Sequence, residues 1–286
     1  VTTVAEALRD AARRLAAVTD TGRLDAELLM AEALGVSRSD MLLRHTRDAA
    51  PEAFEALVAR RLAHEPVAQI LGRKDFYGRE FRVTRDVLIP RADSETTVTA
   101  ALDSCPPGAR VLDCGTGSGA LLLTLLGELP GATGVGIDRS AAALAVAADN
   151  AARLGLSGRA EMRLANWHEP GWQEGLGAFD CVIANPPYVE EDADLAPSVR
   201  EYEPAGALFA GPEGLDDYRA LIPQLPALLA PGGGAVLEIG ATQAGSVEEI
   251  AASAGFDTEL RRDLGGRPRA LILRLGVGNQ GTNSYL

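Results

Sequence analysis

The sequence is poor in the residues that metal, disulfide and membrane chemistry need. Its 286 residues include only three cysteines, Cys105, Cys114 and Cys181. An odd count without a C-x-x-C spacing gives neither a disulfide framework nor a zinc site, and fits a reduced cytoplasmic protein. The three histidines are as sparse, and no ligand-type cluster forms around His45 or His64, so no metal is expected. Residues 1–10 lack the apolar stretch of a signal peptide. The uncharged run from Ala220 to Leu237 is interrupted by Pro223, Pro226, Pro231 and Gly232 to Gly234, so it reads as a helix, a turn and a buried strand rather than a membrane span.

Basic charge is also short. The net charge is −13, and residues 1–90 balance 14 basic against 14 acidic residues, so the whole excess falls in residues 91–286. A protein that grips a phosphate backbone carries a basic footprint, and its absence from this part tells against a nucleic-acid substrate.

Apolar periodicity is abundant. Val4, Leu8, Ala11, Leu15 and Val18 recur at helical spacing, as do Leu24, Leu28, Ala31 and Leu34; further helices are expected over 37–43 and 51–63. Residues 1–72 are therefore expected to form a helical bundle that serves substrate recognition. Residues 73–92 read as a linker with a hairpin near Gly78, and Asp93 or Ser94 as the cap of a helix reaching Leu102. Strands and helices then alternate over 109–114, 119–128, 133–138, 141–154, 159–164 and 179–184. These are followed by a helix over 215–229, a strand over 234–240, a helix over 244–254 and two strands near 256–262 and 268–275. Such alternation defines an α/β domain over 93–275 with a doubly wound, mostly parallel sheet and an antiparallel pair at its edge; residues 276–286 read as a tail.

Two places in this domain carry chemistry. The first is Asp113-Cys114-Gly115-Thr116-Gly117-Ser118-Gly119, a glycine-rich turn between a strand and a helix, where missing side chains let a ligand approach the backbone. About twenty residues on, a second apolar strand ends in Asp138, placed to accept from ribose hydroxyls. The pair implies a nucleoside cofactor. The turn also satisfies the dinucleotide fingerprint, so a nicotinamide cofactor stays open here. The acidic Asp113, suited to an ammonium group, and the loop described next favour S-adenosylmethionine.

That loop is Asn185-Pro186-Pro187-Tyr188, directly after the apolar run 179–184. An amide or aromatic amine nitrogen attacks poorly because its lone pair is delocalised. An Asn side-chain oxygen and a backbone carbonyl can both accept from one planar NH2, and a Tyr ring offers a flat face against it. The prolines stiffen the loop and bring no N–H of their own. The motif points to methylation of nitrogen.

These elements, together with Glu65-Pro66 to Gly72, Phe76 to Phe81, Val87 to Glu95, Arg200 to Pro204 and Asp263 to Arg267, resemble the HemK-type release factor glutamine methyltransferases over nearly the whole chain. The resemblance implies a class I methyltransferase fold, S-adenosyl-L-methionine as cofactor, and peptide chain release factors as partners, methylated on N5 of the glutamine in their Gly-Gly-Gln loop. It also implies that Gly115 to Gly119 line the methionine and ribose side, that Asp138 holds the ribose, that Asn166 and Trp167 lie by the adenine, and that Asn185 to Tyr188 take the glutamine amide. Ala92 and Asn166 depart from the family, which more often has Pro and Asp there. Arg200 and Glu203 read either as part of a lid or as a solvated charge pair, and His168 as a bystander. A nucleic-acid amino methyltransferase, a ribosomal-protein glutamine methyltransferase and a non-catalytic scaffold are the alternatives.

Overall fold

A computed structural model of the protein describes residues 2–276, so the expected tail beyond Gly276 lies outside the described residues. The chain divides into two compact units, Val1–Lys74 with Leu195–Tyr202, and Asp75–Asp194 with Glu203–Leu286.

The first unit is helical. Its helix Val4–Leu15 starts at a reciprocal cap, in which Glu6 Oε2 accepts from Thr3 N at 2.8 Å and Thr3 Oγ1 from Glu6 N at 3.3 Å. Helix Gly22–Leu34 opens on a glycine because its backbone presses on the first helix: a Cβ there would lie 3.0 Å from Ala12 O. Helices Ala53–Leu62 and Val67–Leu71 complete the core around Leu15, Leu29, Met30 and Val58. The helix expected over 37–43 is one turn, Arg38–Asp40, which widens into a π-helical turn, Met41–His45; there Met41 is buried and Leu43 is exposed. Asp25 and Arg61 form a buried ion pair at 2.7 Å. Residues 195–202 pack here too, since Tyr202 Oη donates to Ala63 O at 2.6 Å and Gln69 Nε2 donates to Tyr202 O at 2.8 Å.

Strands β1 (Arg73–Phe76) and β2 (Arg79–Arg82) form the hairpin, turning at Tyr77 and Gly78. The seven-stranded sheet of the second unit is built from β3 (Arg110–Cys114), β4 (Thr133–Asp138), β5 (Ala160–Leu164), β6 (Phe179–Ala184), β7 (Leu229–Glu238), β8 (Phe256–Arg262) and β9 (Pro268–Leu275), in the order β5-β4-β3-β6-β7-β9-β8. The first five of these pair in parallel, and β9 runs antiparallel between β7 and β8. The apolar residues of β3 and β6 point to both faces because both faces of the sheet are covered, by the core around Leu112, Val182 and Leu237 on one side and around Val111, Ile183 and Val236 on the other. Chain order reverses between β3 and β6, the position where open α/β sheets take ligands beyond the strand ends.

Three expected elements of the second unit differ. The helix over 215–229 is α-helical only at Asp216–Leu221 and then 3₁₀ over Ile222–Ala227, because Pro223 and Pro226 remove backbone donors. β7 begins at Leu229, five residues early, with a register shift opposite Phe179 to Cys181. Helix Glu95–Ser104 has no side-chain cap; a 3₁₀ turn, Ala92–Ser94, leads into it, and Asp93 instead accepts from Arg269 at 2.9 Å.

Candidate active site

At the switch point the ends of β3, β4 and β6 surround a cavity of about 250 Å³. Gly115, Thr116, Gly117, Ser118, Asp138, Asn166, Trp167, Asn185 and Pro187 all line it, so nearly every expected site residue meets there. Asp113, Gly119, Pro186 and Tyr188 are not on its wall.

The glycine turn is pinned from beneath. Gly115 N and Thr116 N both donate to Ile137 O at 2.9 Å, and Gly117 N donates to Asp138 Oδ2 at 3.0 Å. The other oxygen of Asp138 accepts from Ser140 N at 2.9 Å, which fixes the carboxylate at the cavity. Asp113 lies fully buried under the turn, where Oδ2 accepts the Thr116 hydroxyl at 2.7 Å. Burial, and then the nearby Asp138 charge, push its carboxyl up to about 7. Asp113 thus supports the turn from below rather than facing the cavity. Gly115 has a positive φ of 78°, and a Cβ there would lie 3.2 Å from Cη2 of Trp167, so the indole rests directly on the turn.

Trp167 packs in the hydrophobic core and is also hydrogen-bonded. Its Nε1 donates to Asp217 Oδ1 at 2.9 Å, and His168 Nε2 lies 2.9 Å from the same oxygen. Asp217, at the start of a helix, gave no sequence signal beyond an ordinary acidic first turn. Asn166 turns its oxygen to His168 N at 3.1 Å.

Asn185 and Pro187 also line the cavity. Behind them, Gln243 Nε2 donates to Tyr188 O at 3.0 Å and to Gly214 O at 3.1 Å, locking the exit of the turn. Burial beside the acidic Glu238 pushes the Tyr188 hydroxyl up to about 12, so it stays a donor. Its hydroxyl reaches Glu238 Oε1 at 3.5 Å. Glu203, expected to act with Arg200, is instead buried: Oε2 accepts from Ile89 N at 3.0 Å, and Oε1 pairs with Arg91. It anchors the segment whose Pro204, Gly206 and Ala207 close another side of the cavity. Val87, Pro90 and Arg91, from the segment that carries part of the family resemblance, and Ser94, read from sequence as a helix cap, line it as well. Among the described residues no three metal-ligating side chains cluster, and no helix is long and apolar enough to cross a membrane.

The doubly wound sheet, the glycine turn at its switch point and the methyltransferase domain match are those of a class I methyltransferase, an enzyme class whose methyl donor is of the S-adenosylmethionine type. Residues 106–252 match the methyltransferase domain family, and a methyltransferase of Pyrococcus furiosus, 18% identical with a TM-score of 0.50 over 75% of this chain and 95% of its own, shares the fold. Residues 6–72 match the PrmC N-terminal domain. A release factor glutamine methyltransferase of Cereibacter sphaeroides is 45% identical over 278 residues, 95% of this chain and 98% of its own; one of Rhodospirillum rubrum is 42% identical over 275 residues, 93% and 83%. The chain belongs to the release factor glutamine methyltransferase family.

Proposed function

We propose that the protein transfers a methyl group from S-adenosyl-L-methionine to the N5 side-chain amide of the glutamine in the Gly-Gly-Gln motif of peptide chain release factors, in the cytoplasm. The observation that carries this reading is that Asn185 and Pro187 share one cavity with Gly115 to Ser118 and Asp138. The residues fit the donor: side-chain-free backbone at Gly115 and Gly117, a fixed carboxylate at Asp138, and an indole face at Trp167 suit the amino-acid, ribose and adenine parts in turn. Asn166 gives a neutral acceptor beside the adenine amino group.

When bound, the cofactor supplies an electrophilic methyl on a sulfonium. The protein supplies position. The Asn185 side-chain oxygen and the Pro186 carbonyl accept from the glutamine NH2, which draws the nitrogen toward tetrahedral geometry and relocalises its lone pair. Tyr188, set behind the cavity wall and held there by Gln243, keeps the turn and so the amide plane in position. Each oriented hydrogen bond of this kind contributes on the order of 10²–10³ in rate, by analogy with oxyanion-hole donors. Holding both reactants in one cavity supplies much of the remainder. The residues 1–74 unit serves recognition of the release factor.

The test is incubation with labelled cofactor and, separately, release factors, a ribosomal protein and DNA, followed by mass spectrometry of the products. Label on the release factor glutamine is expected; label on DNA with unmodified proteins overturns the proposal.

A further inference from the structure

Glu238 ends β7 with a carboxylate that is 1% exposed, and the mechanism above does not use it. The pairing of Ala184 with Leu237 puts Asn185 and Glu238 side by side at the strand ends. Buried carboxylates are retained only where donors surround them. Here the donors are the hydroxyls of Ser94, Thr97, at 3.4 Å, and Tyr188, at 3.5 Å. Two of these belong to the site: Tyr188 closes the Asn185 turn, and Ser94 is itself buried and lines the cavity. Tyr218 Oη donates to the Glu238 backbone oxygen at 2.8 Å, holding the residue in place without occupying its carboxylate.

We propose that Glu238 is the final acceptor of the proton released by the methylated amide nitrogen, reached through the Ser94 hydroxyl. This rests on the methyl-transfer reading above. In the transfer the nitrogen lone pair forms the N–C bond, the sulfur keeps the electrons of the broken C–S bond, and the nitrogen carries one proton too many. That proton passes to Ser94 Oγ while the Ser94 hydroxyl proton passes to a Glu238 oxygen. The carboxylic acid then returns the proton through the Ser94 hydroxyl to the cavity once the product has left. Glu238 acts through Ser94 and is a positioning and proton-accepting residue rather than one that touches substrate.

The charged surroundings suit an acceptor. Burial pushes the Glu238 carboxyl above its ordinary range, opposed by the Ser94 hydroxyl, the Arg269 guanidinium and the Thr97 hydroxyl, with Asp93 adding to the rise. Facing it from the other packed elements, Tyr188 and Tyr218 are both pushed up and remain neutral donors. Arg269 pairs with Asp93 and Asp263, so its charge is partly balanced.

The experiment is single-turnover methylation of a release factor by the full-length protein across pH 5 to 9, with wild type, Glu238→Gln and Glu238→Asp. Wild type should slow as falling pH protonates Glu238. Glu238→Gln should be slower by roughly 10²-fold, the lower end of general-base contributions, and should lose that acidic limb. Its cofactor Kd should not rise and its thermal midpoint should not fall. Glu238→Asp should keep the limb at a shifted position, and it carries the test alone if the Gln variant does not fold. A Gln variant with wild-type rate and an unchanged acidic limb, or an Asp variant with an unmoved limb, overturns the inference while leaving the function standing. A wild type that does not methylate the release factor overturns both.

Discussion

The indole N–H of Trp167 and the imidazole of His168 meet on one oxygen, Asp217 Oδ1, each at 2.9 Å. Asp217 therefore sets the tilt of the ring that rests on the glycine turn. Asp217→Ala strands a buried indole donor, which costs about 1–3 kcal/mol. Chemical denaturation should register that loss, and calorimetry a weaker S-adenosylmethionine affinity; Asp217→Asn, which keeps an acceptor, should recover most of both. An unchanged denaturation midpoint in the Ala variant would remove Asp217 from this role.

Asn185→Ala deletes an acceptor for the substrate NH2 without disturbing the prolines after it. The methylation rate should fall on the order of 10²–10³-fold, with cofactor affinity retained in equilibrium dialysis. A comparable loss of cofactor binding would move Asn185 from the chemistry to the cofactor.

Gly115 and Gly117 both hold positive φ, 78° and 54°, but only at Gly115 does a methyl group meet the Trp167 ring, at 3.2 Å. Alanine at either position costs about 1–2 kcal/mol of backbone strain. Gly115→Ala should in addition shift the tryptophan fluorescence of the free enzyme, and Gly117→Ala should not. Identical spectra in the two variants would contradict the contact.

Asp113 gives a pH signature. Its carboxyl stands at about 7 in the folded protein against 3.8 ordinarily, because burial disfavours the charge. The folded state thus binds the extra proton, and the stability this group contributes is full below its ordinary value and is lost as pH rises to about 7. Asp113→Asn removes the dependence. Its melting point relative to wild type should climb between about pH 4 and 7 and then level off. Equal offsets at pH 5 and pH 8 would rule out the raised value.

The strands and helices of the sheet were readable because their apolar runs and breakers are local: β8 and β9 fall where the pattern puts them, and β3 to β6 lie within a residue of it. The Asn185 turn and the glycine turn were readable for the same reason, as each is a short motif at a strand end. What escaped is set by pairing across distance. Glu203 looks like a surface acid until Ile89 N and Arg91, more than a hundred residues earlier, are brought to it. Asp217 and Gln243 hold Trp167 and Tyr188 from the starts of expected helices, where an acidic or amide side chain does not reveal its distant partner. Asp113 was expected to face the ligand; burial of both sheet faces turns it inward to Thr116.

Residues 195–202 belong to the helical unit although they follow the Asn185 turn in the chain. The polypeptide consequently passes between the two units three times, after Lys74, after Asp194 and after Tyr202. A single protease cut in the connector leaves residues 1–74 held only by non-covalent contacts to residues 195–202. A gene fragment starting at Asp75 would encode a loop whose Tyr202 had lost its hydrogen-bond partners at Gln69 and Ala63. The helical portion is stitched into the enzyme, so it cannot be exchanged by trimming one end of the gene.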